Sequence, residues 1–204
     1  MKPPAPHLRS LGLALAAGLG CAALSALPAE AHGSASGHFH QGILHPLLGL
    51  DHLLLLVGVG TVASYLGWQL LAYALGGAVG GALLGANGIG LPLAELLAAL
   101  SVSLLGFLVL QASRSGRPPA LPLSGGLVTL AVGVHGLLHG QEASGDPGWW
   151  LGALVTSTAG VGFTYLSLQK LGLVWTLRLA LGLTVAGFLL ALGPIGLLAG
   201  GAGA

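Results

Sequence analysis

Long apolar stretches, separated by short breaks that contain glycine, proline or charged residues, make up most of the chain. A membrane-spanning helix needs about 20 mostly apolar residues, and six stretches come close to that length. They lie at 43–66, 68–86, 91–112, 120–140, 149–169 and 171–192. The pattern therefore predicts an all-α fold, a polytopic membrane bundle of six transmembrane helices.

The first 31 residues have a different pattern, which is typical of a secretory signal peptide. Lys2 and Arg9 form a positively charged start, and an apolar stretch follows, with an Ala-Glu-Ala cleavage site that ends at Ala31. We expect the signal peptide to be cleaved there, which leaves residues 32–42 as a polar, histidine-rich extracytoplasmic tail. An uncleaved first transmembrane helix is the alternative.

The composition agrees with a membrane protein and excludes other classes. Of 204 residues, 54% are hydrophobic and 5% are charged, whereas a soluble domain carries about 25% charged residues. A soluble enzyme is therefore excluded. Six basic and five acidic residues give a net charge of +1, so no basic face exists for nucleic acid. The single cysteine, Cys21, excludes a disulfide framework and a thiolate metal cluster.

The second predicted span carries glycines at four-residue spacing. Gly77, Gly81 and Gly85 fall on one ridge, with Gly76 and Gly80 beside it. Small residues at this spacing let two helix backbones approach closely in lipid, so we expect the ridge to pack against another helix.

The charged residues orient the predicted spans. Arg114, Arg117 and Lys170 lie in the third and fifth connections, and Arg178 lies two turns further along. If the N-terminus is exported, these connections face the cytoplasm, as the positive-inside rule requires. Both termini of the mature chain are then extracytoplasmic, and a bacterial inner membrane is the simplest host. The acidic residues and the histidines of the mature chain all fall in extracytoplasmic loops or in the extracytoplasmic halves of the predicted spans.

Two histidine motifs, in the first and fourth predicted spans, are the candidate chemistry. They read His45-Pro-x-x-Gly49-x-Asp51-His52 and His135-Gly-x-x-His139-Gly-x-Glu142. On a helix, positions four and seven residues apart share a face. Ionisable side chains inside a span are costly and usually functional, although a hydrogen bond between helices is the alternative. Imidazoles with carboxylates suit Ni²⁺, Co²⁺ or Zn²⁺, whereas Ca²⁺ and Mg²⁺ prefer oxygen ligands.

Together, the two motifs resemble those of the HupE/UreJ family of hydrogenase and urease accessory permeases. The resemblance covers the mature chain from His32 to about Leu192. It implies that residues 43–204 form a six-helix permease domain for nickel or cobalt. It also implies that the motif residues handle the metal: His45, Asp51, His52, His135, His139 and Glu142. Leu56 stands where many members have methionine, which leaves the choice of metal open.

Four residues outside the motifs are further candidates. The α-amine and imidazole of His32 would chelate a metal together, with His38 and His40 nearby; a disordered polar tail with incidental histidines is the alternative. Glu95, at the outer start of the third span, either attracts cations to a mouth or interacts with the helix dipole.

The leading hypothesis is transport of Ni²⁺ or Co²⁺ from the extracytoplasmic side into the cytoplasm by a secondary or facilitated mechanism. The sequence has no P-loop motif, so a gradient, trapping or the membrane potential must supply the energy. We expect no enzymatic activity and no resident cofactor. The expected partners are the metal ion and the bilayer, and homo-oligomerisation stays open. An intramembrane zinc-dependent hydrolase and a metal-binding accessory subunit of a larger transporter are the alternatives.

Overall fold

The computed structural model describes residues 38–143 and 146–201, and within these ranges all regular structure is helical. The helices are α1 (His38–Leu48), α2 (Leu50–Leu66), α3 (Leu70–Ala86), α4 (Ala94–Ser115), α5 (Leu121–Glu142), α6 (Pro147–Leu171) and α7 (Leu173–Gly201). The predicted signal peptide and residues 32–37 of the predicted tail lie outside the described residues.

The all-helical membrane bundle is confirmed for the described residues, but the count of six spans is not confirmed. Helices α4 to α7 are each long and apolar enough to cross a membrane. Helices α1 and α2 together reach that length, but they are bent by 75° at their junction. Helix α3 is apolar but only 17 residues long. The structure therefore supports four spanning helices, or five if the bent pair forms one span.

The first predicted span differs most from the prediction. Instead of one helix over 43–66, the chain forms α1 from His38 and breaks at Gly49. Gly49 has an extended ψ of 113°, so the helical path is interrupted there. A Cβ atom on Gly49 would collide with Nδ1 of His52. A side chain at position 49 would therefore require the His52 ring to move. The break changes how the first motif is arranged in space.

Helix α2 lies at the centre of the bundle, in contact with every other described helix. Its Val62 packs in a buried cluster with residues of α4 and α5, including Val102, Leu105 and Val128. Large apolar side chains such as Phe163, which is 75% exposed, cover the outside of the bundle. This arrangement, with apolar residues both inside and outside, is typical of a helical bundle in lipid.

Three helix pairs make the closest contacts, and glycine lies at each of them. The pairs are α3 with α5, α4 with α7, and α1 with α6. A Cβ on Gly81 of α3 would collide with the carbonyl oxygen of Gly133 in α5. A Cβ on Gly106 of α4 or on Gly42 of α1 would likewise collide with a backbone carbonyl oxygen of the partner helix. Small residues therefore bring these backbones into direct contact.

The α3–α5 contact has the predicted periodicity. Gly77, Gly81 and Gly85 each face backbone of α5, whereas Gly76 and Gly80 face open space. Because the residues of α5 that they meet advance in the same order, the two helices run parallel. Within the same interface, Gly136 and Gly140 of α5 lie against the backbone of α3. The face of α5 that carries the second histidine motif is thereby turned towards α2.

The basic connections and the histidine motifs lie at opposite ends of the bundle. Nε2 of Gln169 donates a hydrogen bond to the carbonyl oxygen of Ser64 at 3.0 Å, so α6 and α2 end side by side. The connection with Arg114 and Arg117 leads into the start of α5, which lies at the same end. Nε2 of Gln141 donates to the carbonyl oxygen of Ile89 at 3.0 Å, and this contact belongs to the other end, where the histidines lie.

We expect Gly81→Ala to destabilise the bundle and Gly80→Ala to leave it nearly unchanged. The added methyl group at position 81 would push apart two backbones that cannot rotate away, which costs about 1–3 kcal/mol of unfolding free energy. At position 80 the methyl group points into open space. Thermal unfolding of both purified variants in the same detergent checks this prediction, and equal stability of the two would contradict it.

Candidate metal centre

The bend at Gly49 brings the two histidines of the first motif together. His45 lies in the last turn of α1 and His52 in the first turn of α2, and their ring centroids are 4.9 Å apart. His139, in the last turn of α5, has its ring centroid 4.7 Å from that of His45 and 4.5 Å from that of His52. We call these three residues the histidine triad.

The histidine triad has the geometry of a metal-binding group. One ligand atom from each of the three residues lies within 4.8 Å of the other two. Histidine nitrogens bind divalent transition metals at about 2.0–2.1 Å, so small side-chain rotations would place all three around one ion. Nε2 of His45 and both ring nitrogens of His139 are buried without a hydrogen-bond partner among the described residues. An ion bound by the triad would satisfy one nitrogen of each ring.

The helix termini around the triad also favour a cation. His45 and His139 lie at the C-terminal ends of their helices, where the helix dipole is negative. His52 lies instead at the positive N-terminal end of α2, but Asp51 occupies the same first turn. The carboxylate of Asp51 offsets the dipole at that position. Two of the three helix termini at the triad, those of α1 and α5, therefore present an electrostatic field that favours a positive ion.

Asp51 connects the triad to His135. Its Oδ1 lies 2.8 Å from Nδ1 of His52, and its Oδ2 lies 3.7 Å from Nε2 of His135. The side chain of His135 is only 3% exposed. Both motifs therefore meet in space, with one carboxylate between two imidazoles.

Glu142 lies at the open end of the site. Its Oε2 is 3.5 Å from Nδ1 of His139, and its side chain is 63% exposed. The His139 side chain is 13% exposed. Since exposure falls from Glu142 to His139 to His135 along one face of α5, the site has an outer mouth and a buried interior.

Two residues that the motifs do not contain also line the site. The ring centroid of Trp149 lies 5.2 Å from that of His45 and 5.6 Å from that of His139. Oγ of Ser101 lies 3.4 Å from Nδ1 of His135. A tryptophan near a span end is typical of an interfacial anchor, and a serine inside a span is typical of helix packing. Nothing in the sequence around either residue points to the site.

The remaining candidates lie elsewhere. His38 pairs with Asp146, which caps α6 by accepting a hydrogen bond from the backbone N–H of Trp149 at 3.1 Å. That hydrogen bond, and next the pairing with His38, hold the pKa of Asp146 below its usual value. His40 and Glu95 are exposed, and neither belongs to the metal-binding group found in the described part of the chain. His32 lies outside the described residues.

Fold and site together define a multi-pass helical membrane protein with a polar cluster of imidazoles and carboxylates at one end of its bundle. Residues 19–201 match the family model described as HupE / UreJ protein. The chain belongs to this family. A relative named Protein HupE, from Rhizobium leguminosarum bv. viciae, is 34% identical over 163 residues, which cover 73% of this chain and 83% of the relative. No solved structure matches the chain.

We expect the purified protein to bind Co²⁺ through the histidine triad. His139→Ala removes one of the three ligands of the triad and should weaken binding at least about tenfold. Leu53→Ala is the matched control, since Leu53 is adjacent to His52 and 36% exposed. Titration followed by the visible absorption of Co²⁺ measures both affinities. Equal affinity of the two variants would show that the triad does not hold the ion.

Proposed function

We propose that this protein carries Ni²⁺ or Co²⁺ across the membrane from the extracytoplasmic side into the cytoplasm. The observation that carries the proposal is the histidine triad, whose ligand atoms lie within 4.8 Å of one another at one end of a membrane bundle. The resemblance of the motifs to nickel and cobalt permeases, together with membership of the HupE/UreJ family, supports this substrate class. The metal is the cargo, and we propose no catalytic reaction.

The direction of transport rests on charge. Arg114, Arg117 and Lys170 lie at the end of the bundle opposite the triad, and basic connections face the cytoplasm in most membrane proteins. The triad then faces outward, in a bacterial inner membrane, and both termini of the mature chain are extracytoplasmic. The ion is captured where the histidines lie and released where the arginines lie.

The coordination chemistry suits capture followed by release. Three imidazoles leave at least one position of a tetrahedral ion for water or a carboxylate. An incompletely coordinated ion exchanges more easily than one in a closed structural site. Glu142, which is 63% exposed beside His139, supplies a carboxylate at the mouth that attracts the hydrated cation. The site therefore binds an ion without trapping it.

The membrane potential supplies enough energy for this uptake. Each elementary charge gains about 2.3 kcal/mol on moving inward across 100 mV, so a divalent ion gains about 4.6 kcal/mol. We propose a secondary or facilitated mechanism for this reason, and coupling to protons is not required by the energetics.

Accumulation of radiolabelled Ni²⁺ and Co²⁺ in metal-starved cells tests the proposal. Cells that express the wild-type protein should accumulate at least one of the two metals above background. His52→Ala and Glu142→Ala should each lower that uptake at least about tenfold, because each removes a ligand or the carboxylate at the mouth. The ratio of the two metals in wild-type cells gives the preference.

Leu53→Ala serves as the control, and insertion of every variant into the membrane is verified on isolated membranes. Wild-type uptake equal to that of the variants, for both metals, would overturn the proposed transport. Tightly retained zinc in a hydrolytically active protein would instead support the intramembrane hydrolase.

A further inference from the structure

His135 stands apart from the triad and is buried more deeply. It lies one turn before His139 in α5, about 6 Å closer to the basic end of the bundle. Its side chain is 3% exposed, against 13% for His139 and 18% for His52. The His135 and His52 ring centroids are 5.4 Å apart, and His135 does not belong to the group of three ligands. Its position requires a separate explanation.

The surroundings of His135 determine which ring nitrogen carries the proton. Nδ1 lies 3.4 Å from the carbonyl oxygen of Ala131 and 3.4 Å from Oγ of Ser101. The hydroxyl of Ser101 already donates to the carbonyl oxygen of Ala98 at 2.7 Å, so it faces Nδ1 as an acceptor. With two acceptors beside it, Nδ1 is the protonated nitrogen, because a neutral imidazole has one donor and one acceptor.

Nε2 of His135 is then a free lone pair that faces a carboxylate. It is buried without a hydrogen-bond partner among the described residues, and Oδ2 of Asp51 lies 3.7 Å away. That separation is too long for a hydrogen bond. The lone pair of His135, which is 3% exposed, and the carboxylate of Asp51, which is 33% exposed, repel each other unless a positive charge lies between them. Two ligands about 2.1 Å from one metal ion lie about 3–4 Å apart, which fits the observed separation.

We propose that Asp51 and His135 form a second, deeper position for the transported divalent cation, to which the ion passes from the histidine triad. This inference rests on the proposed function for the passage of the ion, but the second position itself can be tested by binding alone. Asp51 links the two positions, since its Oδ1 is 2.8 Å from His52 and its Oδ2 faces His135. The ion exchanges imidazoles of the triad for Nε2 of His135, and the carboxylate of Asp51 stays beside it throughout.

Co²⁺ titration of purified full-length variants tests the second position. The double variant His45→Ala/His139→Ala removes two of the three triad residues and leaves Asp51 and His135 in place. It should still bind Co²⁺, more weakly than the wild type. Adding His135→Asn should weaken this residual binding by at least about a further tenfold, which is the effect expected when a ligand is lost. Residual binding that is the same with and without His135→Asn would overturn the proposal.

Asparagine is chosen because its amide keeps a polar group near the position of Nδ1 and has no atom at the position of Nε2. Folding of each variant is checked by its elution as a single species in the same detergent. If His135→Asn fails this check, Asp51→Asn replaces it, because it removes the negative charge that faces Nε2 of His135. The residual binding should then fall at least about tenfold. Residual binding that is unchanged by Asp51→Asn would overturn the second position.

Transport separates the roles of the two positions. In the otherwise wild-type protein, His135→Asn should bind Co²⁺ with nearly wild-type affinity but lower uptake at least about tenfold, whereas His139→Ala lowers both. Wild-type uptake in His135→Asn would show that the ion does not pass this residue. Should the wild-type protein itself transport neither metal, the proposed function fails, and the binding comparison still decides whether the second position exists.

Discussion

The close approach of helix backbones at glycine is the constraint on which the rest of this structure depends. In lipid, apolar side chains gain little by leaving the bilayer for a helix interface, so association depends on van der Waals contact between backbones. Gly81 against Gly133 joins α3 to α5, and Gly106 and Gly42 bring together the other two close pairs. Because Gly136 and Gly140 hold one face of α5 against α3, the face with His135 and His139 meets α2. The metal-binding geometry is thus a consequence of packing.

The second constraint is the cost of polar groups at membrane depth. Each buried ring nitrogen without a partner loses hydration that the bilayer does not replace. The triad and His135 leave several such atoms unsatisfied in the described residues, and a fold selected for stability alone would use apolar side chains there. A cation bound at the triad would satisfy one nitrogen of each of its three rings, so the stability of the site and its occupancy are coupled. An empty site is the less stable one, which favours binding of a cation.

Much of the fold could be predicted from the sequence, because long apolar stretches indicate membrane helices and regular glycine spacing indicates contact between helix backbones. The ridge of Gly77, Gly81 and Gly85 identified a packing face correctly, and α4 to α7 are long and apolar enough to span a membrane, as expected. The break at Gly49 could not be predicted, because glycine is tolerated inside membrane helices and the motif fits a continuous helical face equally well. Trp149 and Ser101 were missed for a related reason: each reaches the site through tertiary packing, which no local spacing records.

The break at Gly49 also explains how both histidines of the first motif reach the same site. On a straight helix His45 and His52 would lie about two turns apart, roughly 10 Å along the axis, which is too far for one ion. The 75° bend folds α1 over the start of α2 and brings the two rings to 4.9 Å. Interrupted backbone at membrane depth is tolerated only where it is buried in protein or lines a polar cavity. At Gly49 the interruption lies against His52. The break brings the ligands together, and the polar side chains of the triad provide surroundings in which an interrupted backbone is tolerated.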